Sequence, residues 1–215
     1  MGMLLRPVRQ LATAALALGA GPVEAHPHIF VDTTLVVVTD DAGVPQGVEV
    51  TWTYDELYTL LIFEDMGLDA DYDGELTAEE LSQIDGFDMQ WVEGYAGDLY
   101  ATGPGGELAF GPPEPRGTEV AGGRITTHHY RPLAAPGPRQ LDLRAYDPTF
   151  YTGYDLTGGV KVPEGCEVAI TPADLDAARA RAERELAGRP ETIEDYPEVG
   201  DAFADTATVR CGEAE

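Results

Sequence analysis

Residues 26–80 read HPHIFVDTTLVVVTDDAGVPQGVEVTWTY followed by DELYTLLIFEDMGLDADYDGELTAEE, and the change of period between the two halves decides the fold. In the first half Ile29, Val31, Leu35 and Val37 share one face, interrupted by Thr33, while His28, Phe30, Asp32 and Thr34 take the other. Alternation with β-branched residues predicts a strand. Asp40, Asp41 and Gly43 supply a turn, and Val48, Val50, Trp52 and Tyr54 alternate again as a partner strand. At Asp55 the pattern breaks. Residues 55–66 hold neither Gly nor Pro, Asp55 is a fitting N-cap, and the expected helix runs into an Asp-rich loop. A second helix is expected from Thr77 through Ile84, with a further helical turn over 88–95.

Asp69-Ala70-Asp71-Tyr72-Asp73-Gly74-Glu75-Leu76-Thr77-Ala78-Glu79-Glu80 fits an EF-hand calcium loop. Asp69, Asp71 and Asp73 present oxygens at loop positions 1, 3 and 5, Gly74 allows the sharp turn, and Glu75 offers its carbonyl. Leu76 packs behind the loop, and Glu80 can bind through both oxygens. Chance runs of acids do occur in a chain this acidic, but they do not also place Gly, an aliphatic residue and Glu at positions 6, 8 and 12. The loop is a single one, whereas calcium sensors pair theirs, so a structural ion is expected.

Outward from this stretch, short strands with Gly and Pro turns are expected at 98–102, 107–110, 119–130, 139–146 and 166–170. Thr171-Pro172 opens a helix over 172–187 that closes at Gly188, and the polar, acidic tail after Arg189 carries a possible strand at 206–210. The fold class is α+β and mainly β. The expected architecture is a small sandwich or twisted antiparallel sheet, with the helix–loop–helix inserted at 55–85 and a C-terminal helix. Residues 26–188 form the β-rich domain and 189–215 the tail.

The first 25 residues combine Arg6 and Arg9, the apolar run Leu11–Ala20 and a Val23-x-Ala25 ending, the pattern of a signal peptide cleaved before His26. The run is too short for a permanent span, and no later segment is long and apolar enough for one. Export to the periplasm is expected. Cleavage removes Arg6, Arg9 and Glu24 and leaves 11 basic against 38 acidic residues, a formal charge of −27. Such a surface repels nucleic acid and attracts cations. The two cysteines, Cys166 and Cys211, are expected to pair as a disulfide that ties the tail back.

All four histidines fall in two places, His26-Pro27-His28 and His128-His129. Imidazole suits zinc, nickel, cobalt and copper. Strand parity puts His26 and His28 on one face and lets one of His128 and His129 join them. Pro27 lacks the amide proton that an amino-terminal copper and nickel motif needs. The plain alternative is a set of ordinary exposed residues. The aromatic stretch 146–154 either lines a pocket or packs around the Asp147-Pro148 turn. There is no nucleophile elbow, phosphate-binding glycine loop or metalloprotease helix motif.

HPHIFVD, VTWTYDELYTLLIFEDMGLDADYDGELT and AYDPTFYTGYDL together resemble the family known as domain of unknown function 1007 (DUF1007). The resemblance implies a periplasmic component of a transport system, associated with nickel/cobalt-type permeases or efflux proteins. The expected function is therefore a calcium-stabilised accessory that captures a transition metal through its histidines and hands it over. Two other readings stand beside it. One is a calcium-stabilised interaction module with no transition-metal site. The other is a copper enzyme with an amino-terminal histidine brace.

Overall fold

The computed structural model describes residues 27–92, 94–187 and 196–212. The signal-peptide segment, its cleavage point and His26 lie outside the described residues.

The expected hairpin forms from β1 (Ile29–Thr39) and β2 (Pro45–Tyr54), antiparallel, with Val31 opposite Tyr54 and Leu35 opposite Val50. Its apolar face is buried. Thr33, which breaks the pattern, stays on that face at no solvent exposure because its hydroxyl donates to the Val31 carbonyl two residues back. Asp55 caps α1 (Glu56–Met66) by accepting from the Tyr58 N–H. Asp55 Oδ2 also accepts from the Phe30 N–H, which ties the helix start to the first strand. Gly67, in the left-handed region, ends α1, and Thr77 opens α2 (Ala78–Ile84) with a capping box to Glu80. Of the turn expected over 88–95, a 3₁₀ turn forms at Phe87–Met89.

The remaining chain builds β3 (Leu99–Gly103), β4 (Gly106–Leu108), β5 (Glu114–Ala121), β6 (Arg124–Pro132), β7 (Gln140–Ala145), β8 (Thr152–Lys161), β9 (Cys166–Thr171), α3 (Leu175–Leu186) and β10 (Thr206–Cys211). These strands form two five-stranded sheets, ordered β5-β6-β2-β1-β8 and β4-β3-β7-β10-β9. The pairing is antiparallel except between β1 and β8. One hydrophobic core draws on both sheets. Leu35, Val50, Trp52 and Ile125 come from the first, and Leu99, Leu143, Ala207 and Val209 from the second. Among the described residues the protein is thus mainly β with three α-helices.

The structure also differs from the sequence reading in its strands and last helix. The single strand expected at 119–130 is a hairpin, because Gly122 and Gly123 both take positive φ and make the tight turn between β5 and β6. The last helix begins at Leu175, capped by Asp174 rather than Thr171. β8 was not expected at all. Gly158 lets it approach β1 closely: a Cβ there would run into the Thr34 hydroxyl. β10 lies between β7 and β9 in the second sheet, and Cys211 stands opposite Cys166, to which it is disulfide-bonded.

Candidate metal centre

α1 and α2 lie over β6 and β5. Thr59 accepts the Ile125 N–H and Thr118 accepts the Gly86 N–H, so both ends of the helix–loop–helix are fixed to that hairpin. Leu68 follows the cap of α1, is buried, and donates its N–H to the Phe63 carbonyl. It seats the next residue, Asp69, which is only 4% exposed.

From Asp69 the loop closes on itself. Asp69 Oδ1 accepts from the Asp73 N–H at 3.0 Å and Oδ2 from the Gly74 N–H at 3.2 Å. Gly74 adopts φ 77°, the conformation that favours glycine at the sharp turn. Asp73 Oδ1 accepts from the Glu75 N–H at 2.9 Å. Asp69, Asp71 and Asp73 each place a carboxylate oxygen within 4.8 Å of the others. Leu76 packs against the core behind them.

Glu80 is not in that trio but spans the loop mouth. Its Oε1 accepts from the Asp69 N–H at 3.1 Å, and its Oε2 accepts from the Thr77 N–H and hydroxyl at 2.9 and 2.7 Å. Those bonds, the Thr77 N–H first, hold its carboxyl below the usual carboxylate range. First and last loop residues are therefore joined. The donor set, carboxylates on a short oxygen-rich turn, suits a hard cation of calcium's size. Glu75 is exposed.

The histidines are spread differently. His28 is exposed at the start of β1, with its ring 4.8 Å from that of Tyr151. His128 is half-buried on the same outer face, its Nδ1 3.0 Å from the Thr51 hydroxyl and its Nε2 3.6 Å from Glu119. It lies in the row Thr34–Thr51–His128, six residues along β1 from His28. At about 3.3 Å per residue, that is roughly 20 Å along the strand. His129 faces the core at 0% exposure, with its ring centroid 4.7 Å from Trp52 and 6.0 Å from Trp91. The structure does not bring His28, His128 and His129 together.

Two further carboxylates that the sequence did not announce are held by hydroxyl groups. Asp88 accepts from the Tyr54 and Thr127 hydroxyls at 2.8 and 2.6 Å, and Asp98 accepts from the Tyr154 hydroxyl at 2.8 Å. Burial lifts the Asp98 carboxyl to about 6 and presses the His129 imidazole down to about 3. The effect of His129 on stability has a definite sign. The unfolded chain takes up this proton below the ordinary value of 6.5, whereas the folded protein holds it off until about 3. The stability contribution is therefore full above 6.5 and is lost as pH falls toward 3. His129→Phe lacks this term, so its stability deficit against wild type is expected to shrink by about 2 kcal/mol between pH 7 and pH 5. Denaturant unfolding of both proteins at the two pH values checks this, and parallel curves contradict it. Asp98 titrates in both proteins and cancels in the difference.

A scan against family models matches residues 11–211 to the model described as Protein of unknown function (DUF1007). A search of the curated proteins finds no match.

Proposed function

The chain belongs to the DUF1007 family of proteins of unknown function, and from that premise we propose that it is an exported, calcium-binding accessory protein of a transition-metal transport system. The observation that carries the calcium-binding part of this reading is the closed loop of Asp69, Asp71 and Asp73, with Glu80 bonded back to the Asp69 N–H. Glu75 adds its carbonyl to the calcium shell. Three carboxylates within 4.8 Å repel one another, and a divalent cation relieves that repulsion while fixing α1 against α2. Calcium here serves the fold.

What α1 presents supports an accessory role. Leu57 is 75% exposed, and Leu60 and Leu61 follow it at helical spacing, both exposed. Acidic Glu56, Glu64 and Asp65 flank the three leucines. An apolar stripe with an acidic border suits a partner with an apolar surface and a basic rim, such as an extracytoplasmic segment of a metal permease or efflux protein. No helix among the described residues is long and apolar enough to cross a membrane. Transition-metal capture falls to His26, with its α-amine free after cleavage, and His28. His128 and His129 take no part in it, by their distance and burial.

The test is the mature protein purified from the periplasm. Its intact mass is expected to start at His26, and metal analysis is expected to give one calcium per chain. A product still starting at Met1 contradicts export. Titration of the calcium-loaded protein with zinc, nickel, cobalt and copper is expected to show binding that His26→Ala/His28→Ala removes. Equal binding by wild type and variant contradicts the capture role.

A further inference from the structure

Arg131, on the inward face of β6, is 3% exposed and has no carboxylate within 4.0 Å among the described residues. Its Nε donates to the Gly111 carbonyl at 3.2 Å and its Nη1 to the Ala96 carbonyl at 3.0 Å. The guanidinium carbon lies 4.5 Å from the centre of the Trp91 ring and 5.0 Å from that of Phe110. Gly97, at φ 70°, leaves room for this stack, since a Cβ there would run into both Trp91 and Arg131. Among the described residues Nη2 donates to nothing. Carbonyl dipoles and ring faces soften the charge without neutralising it, and a buried guanidinium without an anion is costly.

Arg131 lines a cleft of about 870 Å³, within the range of small-molecule sites. Trp91, Tyr95, Phe110 and Tyr146 supply flat apolar walls, and Arg144 lines the same cleft with its Nε buried and unbonded. Two acids line it as well. Asp142 is engaged by the Thr208 hydroxyl, and Glu107 is exposed. Their charge disfavours a ligand with a second anionic group.

We propose that this cleft binds a small organic monoanion, its carboxylate paired with the Arg131 guanidinium and its flat apolar body held between aromatic side chains. The site is separate from the acidic loop and does not depend on the calcium reading.

The test uses the mature, calcium-loaded protein and benzoate, with benzyl alcohol and benzylammonium as controls of the same shape and different charge. Calorimetry is expected to give saturable one-to-one binding of benzoate, at least about tenfold tighter than benzyl alcohol, and no binding of benzylammonium. Arg131→Met is expected to weaken benzoate by about tenfold or more. Because Arg131 also holds two loop carbonyls, a second variant guards against misfolding. Val92 lines the cleft at 76% exposure, so Val92→Asp adds a negative charge there without disturbing the core. It is expected to weaken benzoate by about fivefold with an unchanged melting temperature. Equal affinity for benzoate and either control, no benzoate binding at millimolar concentration, or a folded Val92→Asp that binds like wild type would each overturn the proposal.

Discussion

Reducing the Cys166–Cys211 disulfide is expected to lower the melting temperature by about 8–16 °C, the larger of two stability effects that follow from the fold. The bond joins residues 45 apart. Closing a loop of that length removes enough freedom from the unfolded chain to stabilise the fold by roughly 4 kcal/mol. Its placement makes the loss cooperative. β10 is an interior strand, paired with β9 through Val209 and Val168 and with β7 through Val209 and Leu141. Ala207 and Val209 sit at 0% exposure in the shared core. Releasing Cys211 therefore frees the end of a strand that the second sheet is built around. Thermal melts with and without a phosphine reductant measure the effect, and Cys166→Ser/Cys211→Ser should reproduce the reduced value. Two alkylatable thiols in the native, unreduced protein would contradict it.

Calcium should raise the melting temperature by about 5–10 °C when present at roughly a hundredfold excess over its dissociation constant, where linkage contributes about 2.7 kcal/mol. The gain arises because the ion binds the folded loop and not the unfolded chain. Asp69→Ala is expected to abolish the rise for two reasons. It removes a ligand, and it strips the acceptors from the Asp73 and Gly74 N–H groups that shape the turn. Glu80→Ala removes the last ligand together with half of the capping box on α2, so it should abolish the rise and also lower the melting temperature without calcium. Retention of the full rise in both variants would place the ion elsewhere.

The backbone of the acidic loop and the β1–β2 hairpin were legible in the sequence for different reasons. The loop was legible because its chemistry is local. Asp, Gly and Glu at fixed spacing also set the backbone, and Gly74 takes the positive φ that its position predicts. The β1–β2 hairpin was legible from alternation alone, with Thr33 tolerated because its hydroxyl bonds its own strand. β8 was not legible, since Gly158 and Gly159 read locally as breakers. Their reason is a partner strand more than a hundred residues away, where Asp155 pairs with Asp32 and Gly159 with Thr34. Parity allowed His128 or His129 to join His28, but parity fixes a face and not a distance. The distance comes from register across three strands, which no local pattern encodes. The Arg131 cleft is hidden for the same reason. Arg131 is one polar residue in a strand, and its meaning appears only where Trp91, Phe110 and the Ala96 and Gly111 carbonyls converge on it.

The most direct test of the central claim is a calcium titration of metal-free mature protein followed by native mass spectrometry, with Asp69→Ala alongside. The account predicts that wild type takes up one calcium ion and saturates there, while folded Asp69→Ala takes up none at the same free calcium. A wild-type protein that stays calcium-free at millimolar calcium, or an Asp69→Ala variant that loads like wild type, would contradict it.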